Sequence, residues 1–217
     1  MPDYAIARRN MVENQLRPSR IDDPRLLDAM GAVPRELFVP THLQSVAYGD
    51  SDLVLGGGRF LLEPLALAKL LQTAELQSGD SAMVIGDDTG YAAAVTARLA
   101  EKVVLLLAPS DDRAAVEAVL RGQEAANVTV VQGDGPAGHA AAAPYDAIVL
   151  VGAVPAVPKS LLEQLTDQGR LVAVVEKGRD GKVTVFEKVG EAVGRISPFD
   201  AGVPRLPGFE PAPSFTF

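Results

Sequence analysis

Two textures of apolar residues divide the chain. Between about residue 79 and residue 176, short Val/Ile/Leu runs alternate with Ala-rich stretches whose apolar positions recur at helical spacing. The runs are Ala82-Met83-Val84-Ile85-Gly86, Val103-Val104-Leu105-Leu106-Leu107, Val128-Thr129-Val130-Val131, Ala147-Ile148-Val149-Leu150-Val151 and Arg170-Leu171-Val172-Ala173-Val174-Val175. Their apolar character is continuous, as expected of strands buried on both faces of a parallel sheet. Segments 90–100, 111–126 and 158–166 fit as crossover helices between them. Further on, Gly178-Arg179-Asp180-Gly181 is a strong turn signal, and Lys182-Val183-Thr184-Val185-Phe186-Glu187-Lys188-Val189 alternates as a half-exposed strand does. An antiparallel hairpin at the sheet edge follows from that pattern.

The flanks read differently. Residues 1–78 carry helical patterns broken by prolines, and in Asp22-Asp23-Pro24-Arg25-Leu26-Leu27-Asp28-Ala29-Met30-Gly31 an Asp cap, a first-turn Pro and a closing Gly bracket one short helix. Residues 200–217 are Pro-rich, which excludes regular structure, although their phenylalanines can pin them to the body. The expected organisation is a helical front piece (1–78), an α/β core (79–199) and a Pro-rich C-terminal tail (200–217).

Composition narrows the chemistry. At 217 residues, 47% hydrophobic and 22% charged, the chain suits one globular core with decorations. Without cysteine there is no disulfide, thiolate metal site or thiol nucleophile, which fits a reducing compartment. The first residues lack an apolar signal region and no apolar run reaches the ~18 residues of a membrane span, so a cytoplasmic location is expected. A formal charge of −8 without a basic, aromatic-interleaved cluster disfavours nucleic-acid binding. His42 and His139 lie far apart with no ligand cluster around either, so no metal site is expected. The Gly-x-Ser-x-Gly nucleophile elbow of hydrolases is missing.

In an open parallel sheet, ligands bind beyond the carboxyl ends of the strands, so the residues after each strand carry the information. Gly86-Asp87-Asp88-Thr89-Gly90 permits a tight turn into a helix whose N–H groups can face a polar ligand, and plain packing accounts for its glycines equally well. Gln132-Gly133-Asp134-Gly135 puts an acid between glycines, suited either to accepting hydrogen bonds from an adenine amino group or simply to turning the chain. Ala143-Pro144-Tyr145-Asp146 introduces the fourth strand, and the small residues Gly152-Ala153 follow it.

Taken in order, these features resemble the protein-L-isoaspartate O-methyltransferase family along nearly the whole chain. Met11-Val12-Glu13-Asn14-Gln15-Leu16 matches its opening helix. Asp28-Ala29-Met30-Gly31-Ala32-Val33-Pro34-Arg35-Glu36-Leu37-Phe38-Val39-Pro40 is similar to its front-piece signature, and Ala47-Tyr48-Gly49-Asp50 follows at the expected distance. Thr89-Gly90-Tyr91, Gly133-Asp134-Gly135 and Gln164-Leu165-Thr166-Asp167-Gln168-Gly169-Arg170-Leu171-Val172 look like the cofactor-domain motifs. The resemblance implies a Rossmann-like S-adenosylmethionine methyltransferase fold that transfers a methyl group to the carboxylate of an isoaspartyl residue in a protein or peptide, a repair reaction. By the same resemblance, Gly86, Asp87, Asp88, Thr89, Gly90, Asp134 and Gly135 are the candidate cofactor-binding residues.

Departures from the family pattern fall on the functional loops. Where the family has Gly-Gln-Thr-x-Ser-x-Pro, this chain has Gly58-Arg59-Phe60-Leu61-Leu62-Glu63-Pro64, so Phe60 and Leu62 stand at the hydroxyl positions and neither can donate a hydrogen bond. Arg59 is the candidate substitute, through its fork on a carboxylate. The leading acid of the cofactor turn is Val84 and its middle glycine is Asp88. Asp87 or Asp88 is then a candidate partner for the cofactor's ammonium group. The second strand runs into Ala108-Pro109-Ser110 where the family places a ribose-binding acid, leaving Asp111 or Asp112 to reach back. Two functions remain open: methyl transfer, to an isoaspartyl or another substrate, and a catalytically degenerate binding or regulatory protein. Oligomeric state is not legible in the sequence.

Overall fold

The structure, a computed structural model, describes residues 3–177 and 180–210. Helix α1 (Tyr4–Met11) begins at Asp3, whose carboxylate accepts from the Ile6 N–H, and winds on through a π turn and a 3-10 turn to Arg20, which ends it in the left-handed region at φ 64°. Helix α2 (Pro24–Ala32) has the predicted bracket: Asp23 accepts from the Arg25 N–H and Pro24 opens the first turn.

The front piece is not wholly helical. Strands β1 (Leu53–Gly56) and β2 (Arg59–Leu61) form an antiparallel hairpin over Gly56, Gly57 and Gly58, all at positive φ. At four and three residues these strands are too short for an alternating pattern to register, and only the glycine run marks the turn. Helix α3 (Pro64–Ala74) then leads to the central sheet.

Strands β3 (Ser81–Ile85), β4 (Lys102–Leu107), β5 (Val128–Gln132), β6 (Tyr145–Val154), β7 (Leu165–Lys177), β8 (Asp180–Val189) and β9 (Ala192–Asp200) make one seven-stranded sheet in the order β5-β4-β3-β6-β7-β8-β9. Pairing is parallel from β5 through β7 and antiparallel for β7-β8 and β8-β9, so the edge hairpin expected from the sequence is present. This is the Rossmann-like arrangement. Residues 178 and 179 of the predicted turn lie outside the described residues. The connecting helices α4 (Tyr91–Thr96), α5 (Arg113–Arg121) and α6 (Lys159–Glu163) are shorter than their sequence patterns. Helix propensity in Ala-rich stretches outlasts the packing that the sheet offers.

Met83, Val84, Leu105, Ile148, Val149, Leu171 and Val172 are essentially inaccessible on both faces of the sheet, and Met11, Leu26 and Met30 of the front piece join the same apolar core. Among the described residues no helix is long and apolar enough to cross a membrane. The chain runs from β3 outward to β5, then returns to lay β6 on the other side of β3. This reversal opens a crevice beyond the carboxyl ends of β3 and β6.

Candidate active site

The loop after β3 turns at Gly86 and Gly90, both at φ 86°, a conformation that favours glycine. Between them Asp87 points inward. Its carboxylate accepts from the Thr89 hydroxyl at 2.9 Å, the Gly90 N–H at 3.0 Å and the Ala93 N–H at 2.9 Å, while Thr89 Oγ1 accepts from the Tyr91 N–H at 3.2 Å. Asp87 thus supplies acceptors to amides that α4 leaves unpaired at its start. Burial raises its pKa, and those hydrogen bonds pull the other way. Asp87 and Thr89 thus tie the loop to the start of α4.

Asp88 faces the crevice with Arg59. Its pKa is pushed up to about 7, first by burial and then by the negative charges of Asp111 and Asp87, against which Arg59 acts. Beyond β4, Asp111 reaches back as the sequence allowed, but its carboxylate accepts from the Ala108 N–H at 2.8 Å. Asp112 caps α5 through the Ala115 N–H at 3.0 Å. Asp134 is exposed, and its main-chain carbonyl accepts from the N–H groups of Ala137 and Gly138. Gly135, next to it, lines the crevice.

The substrate-loop positions are core positions. Phe60 is 7% exposed and Leu62 fully buried, whereas Arg59 is exposed at the crevice mouth. The loop is held by Arg35, which stands in the front-piece signature and whose role no local pattern reveals. The buried Arg35 guanidinium donates to the carbonyls of Ala47 (2.6 Å) and Leu62, and it lies 4.9 Å from the centre of the Tyr91 ring. Beside it, Tyr48 donates its hydroxyl to Glu36 and accepts from the Arg35 N–H at 3.1 Å; burial and the Glu36 contact both raise the pKa of Tyr48. The front-piece signature therefore clamps the loop to the first turn of α4.

Sequence reasoning missed the main feature of the crevice. The segment after β9 folds back into it and makes a short parallel bridge to β6, with Ala153 donating to the Pro204 carbonyl and Leu206 to the Ala153 carbonyl, both at 2.8 Å. Since β3 pairs with β6 only as far as Ile85 opposite Leu150, the edge of β6 beyond that point is open to it. Leu206 and Phe209 are 2% and 5% exposed. Leu206 lies against Gly86 so closely that a Cβ there would collide with it. A Cβ on Gly135 would sit 2.8 Å from Phe209 Cε2, and one on Gly152 would sit 2.7 Å from Leu206 Cδ2 and 3.0 Å from Phe60 Cζ. The glycine floor is thus covered by apolar side chains, and Phe60 of the substrate loop meets Leu206 over Gly152. A cavity of about 110 Å³ stays open among Asp88, Arg59, Asp111 and Leu206, and a second of about 230 Å³ adjoins it on the side of Phe38, Thr89 and Val116, sharing Arg59 and Asp88. The expectation that a phenylalanine would pin the tail holds for Phe209; Phe215 and Phe217 lie outside the described residues.

Residues 7–199 match the family model for protein-L-isoaspartate(D-aspartate) O-methyltransferase. A protein-L-isoaspartate O-methyltransferase of Herpetosiphon aurantiacus is 40% identical over 184 residues, covering 85% of this chain and 82% of that protein. One from Methylorubrum extorquens is 39% identical over 215 residues, covering 96% and 92%. Among solved structures, a protein-L-isoaspartate O-methyltransferase superposes with a TM-score of 0.79 at 24% identity, over 91% of this chain and 65% of that one. A Plasmodium falciparum structure described as a protein of this kind in complex with S-adenosyl-L-homocysteine superposes with a TM-score of 0.77 at 17% identity, over 93% and 98%. At those identities the two structures speak for the fold alone.

Proposed function

The chain belongs to the protein-L-isoaspartate O-methyltransferase family, whose members are S-adenosylmethionine-dependent and act on isoaspartyl residues of proteins, and we propose that it carries out this methyl transfer with an altered loop, in which Phe60 and Leu62 stand where the family has hydroxyls. The crevice has two adjoining hollows of about 110 and about 230 Å³ that share Arg59 and Asp88, together within the range of sites that enclose a small ligand, roughly 300 Å³ or more. The carrying observation is the match to the family over residues 7–199, with the glycine turns at Gly86 and Gly135 lining the crevice beyond the parallel strands.

Asp111 lines the same crevice just beyond β4; one of its oxygens accepts from the Ala108 N–H, and the other has no hydrogen-bond partner among the described residues. Phe60 and Leu62 bring no donor to a substrate carboxylate.

A second reading, a catalytically degenerate member that works by binding, is favoured by one observation: Leu206 and Phe209 lie over Gly86 and Gly135 at the sheet edge. Calorimetric titration with S-adenosylmethionine to millimolar concentration, paired with a methyl-ester assay on an isoaspartyl peptide, separates the two. The expected result is both heat and ester. Neither appearing would sink the methyltransferase reading and leave the degenerate one.

A further inference from the structure

We propose that Arg59 is the residue that binds the substrate's carboxylate, and that Asp88, facing it across the two hollows, sets how freely it does so. The inference rests on the methyl-transfer reading above and names the group that takes over from the missing hydroxyls. A carboxylate gives up its hydration only where donors or a cation replace it, and with Phe60 and Leu62 buried the altered loop has one side chain able to do this.

The lining of the hollows points to the same residue. Among the described residues it carries three charged side chains: Asp88 and Asp111, which repel a carboxylate, and Arg59, which both hollows share with Asp88. Strand alternation puts Arg59 there, because it is exposed at the start of β2 whereas Phe60, next along, is buried. Among the described residues the Arg59 guanidinium makes no ion pair, so its fork is available to a ligand. Phe38, Val39, Leu55, Val116 and Val119 wall the larger hollow with apolar surface, which strengthens an ion pair formed at its edge.

Arg59 and Asp88 both stand where the chain departs from the family pattern, at a glutamine and at a glycine, on loops that only the fold brings face to face. Opposite charges gained at facing positions act on each other. The charged groups that face Asp88 are Asp87 from its own loop, Asp111 from beyond β4 and Arg59 from β2, while α5, residues 37–40 and the segment after β9 bring apolar side chains. Burial and the two acids push the pKa of Asp88 up to about 7. Below that value Asp88 is neutral and Arg59 meets the substrate alone. Above it, the Asp88 charge opposes an incoming carboxylate and competes for the Arg59 fork.

The test follows a fluorescent, histidine-free isoaspartyl peptide at pH 6 and pH 8, by anisotropy with S-adenosylhomocysteine present and by methyl-ester formation with S-adenosylmethionine. The full chain is compared with Arg59→Gln, Arg59→Lys and Asp88→Asn; Arg59 is exposed, so its variants keep the fold. Arg59→Gln is expected to weaken binding and raise KM about tenfold with kcat changed less than about twofold, and Arg59→Lys to recover part of the loss. The peptide's α-carboxylate stays ionised across this range. The unaltered chain should therefore bind about threefold more weakly at pH 8 than at pH 6, and Asp88→Asn equally at both. The same peptide with that carboxyl amidated should show neither effect. Unchanged affinity and KM in Arg59→Gln, or a pH dependence that survives Asp88→Asn, overturns the proposal. Ester formation by the unaltered chain keeps the two claims apart: its absence counts against methyl transfer, whereas ester formed by Arg59→Gln at the original KM counts against Arg59 alone, and no peptide binding by the unaltered chain overturns both.

Discussion

Asp88→Asn offers the sharpest check on the electrostatics of the crevice. Asp88 is partly buried beside Asp87 and Asp111 with Arg59 as its counter-charge, and its pKa rises from 3.8 to about 7. The folded chain therefore retains a proton that the unfolded chain releases near pH 3.8. Between that value and about 7 the native state binds more protons, so the contribution of Asp88 to stability falls as pH rises through this window and is flat below it. At about 1.36 kcal/mol per unit, the whole shift would be worth about 4 kcal/mol. Solvent reaches the side chain and screens it, so about 1–2 kcal/mol is the expected penalty above pH 7. Asparagine keeps the shape without the charge, and no hydrogen bond to the Asp88 carboxylate is present among the described residues to be lost. For a domain of this size the gain corresponds to a Tm about 4 °C higher. Thermal melts of both proteins at pH 8 and pH 4 measure it. The variant should be more stable at pH 8 and indistinguishable at pH 4. An equal difference at both pH values, or a less stable variant at pH 8, would refute the argument.

Other substitutions test the packing of the loops. Leu62→Ser, which would restore a hydroxyl at a family position, should cost about 3 kcal/mol in urea unfolding because it leaves a cavity and a buried hydroxyl; a loss under 1 kcal/mol would mean that Leu62 is not core. Asp87→Ala strands the Gly90 and Ala93 amides, and a loss of about 2 kcal/mol with faster hydrogen exchange at Ala93 is expected; unchanged exchange there contradicts it. Arg35→Met removes the donor to the Ala47 and Leu62 carbonyls and the cation over Tyr91, so a loss of about 3 kcal/mol and faster proteolysis between residues 47 and 62 are expected. Proteolysis at the original rate would show that the clamp does not hold the loop.

Much of the sheet was legible because its residues answer to one partner each. A strand buried on both faces must be apolar at every position, so Val103–Leu107 and Ala147–Val151 announce themselves, and the Asp23 cap of α2 needs only neighbours two residues away. The front-piece signature was equally visible as a pattern, but the role of Arg35 was not, because its partners at Ala47, Leu62 and Tyr91 come from three other elements. The bonds of Asp87 to the Gly90 and Ala93 amides were not legible either, because only the folded turn brings those amides to its carboxylate. The hairpin of β1 and β2 was too short for its period to register.

The crevice itself belongs to tertiary structure. Local pattern determined that a parallel sheet would present glycine turns at its carboxyl edge, and the resemblance to the family made it a methyltransferase-type sheet. They also determined that residues 60 and 62 carry no hydroxyl. What covers those turns depended on whether a Pro-rich segment more than 100 residues downstream of Gly86 would find the open edge of β6. That is a contact between residues distant in sequence, made by two side chains and two amides that no periodicity marks.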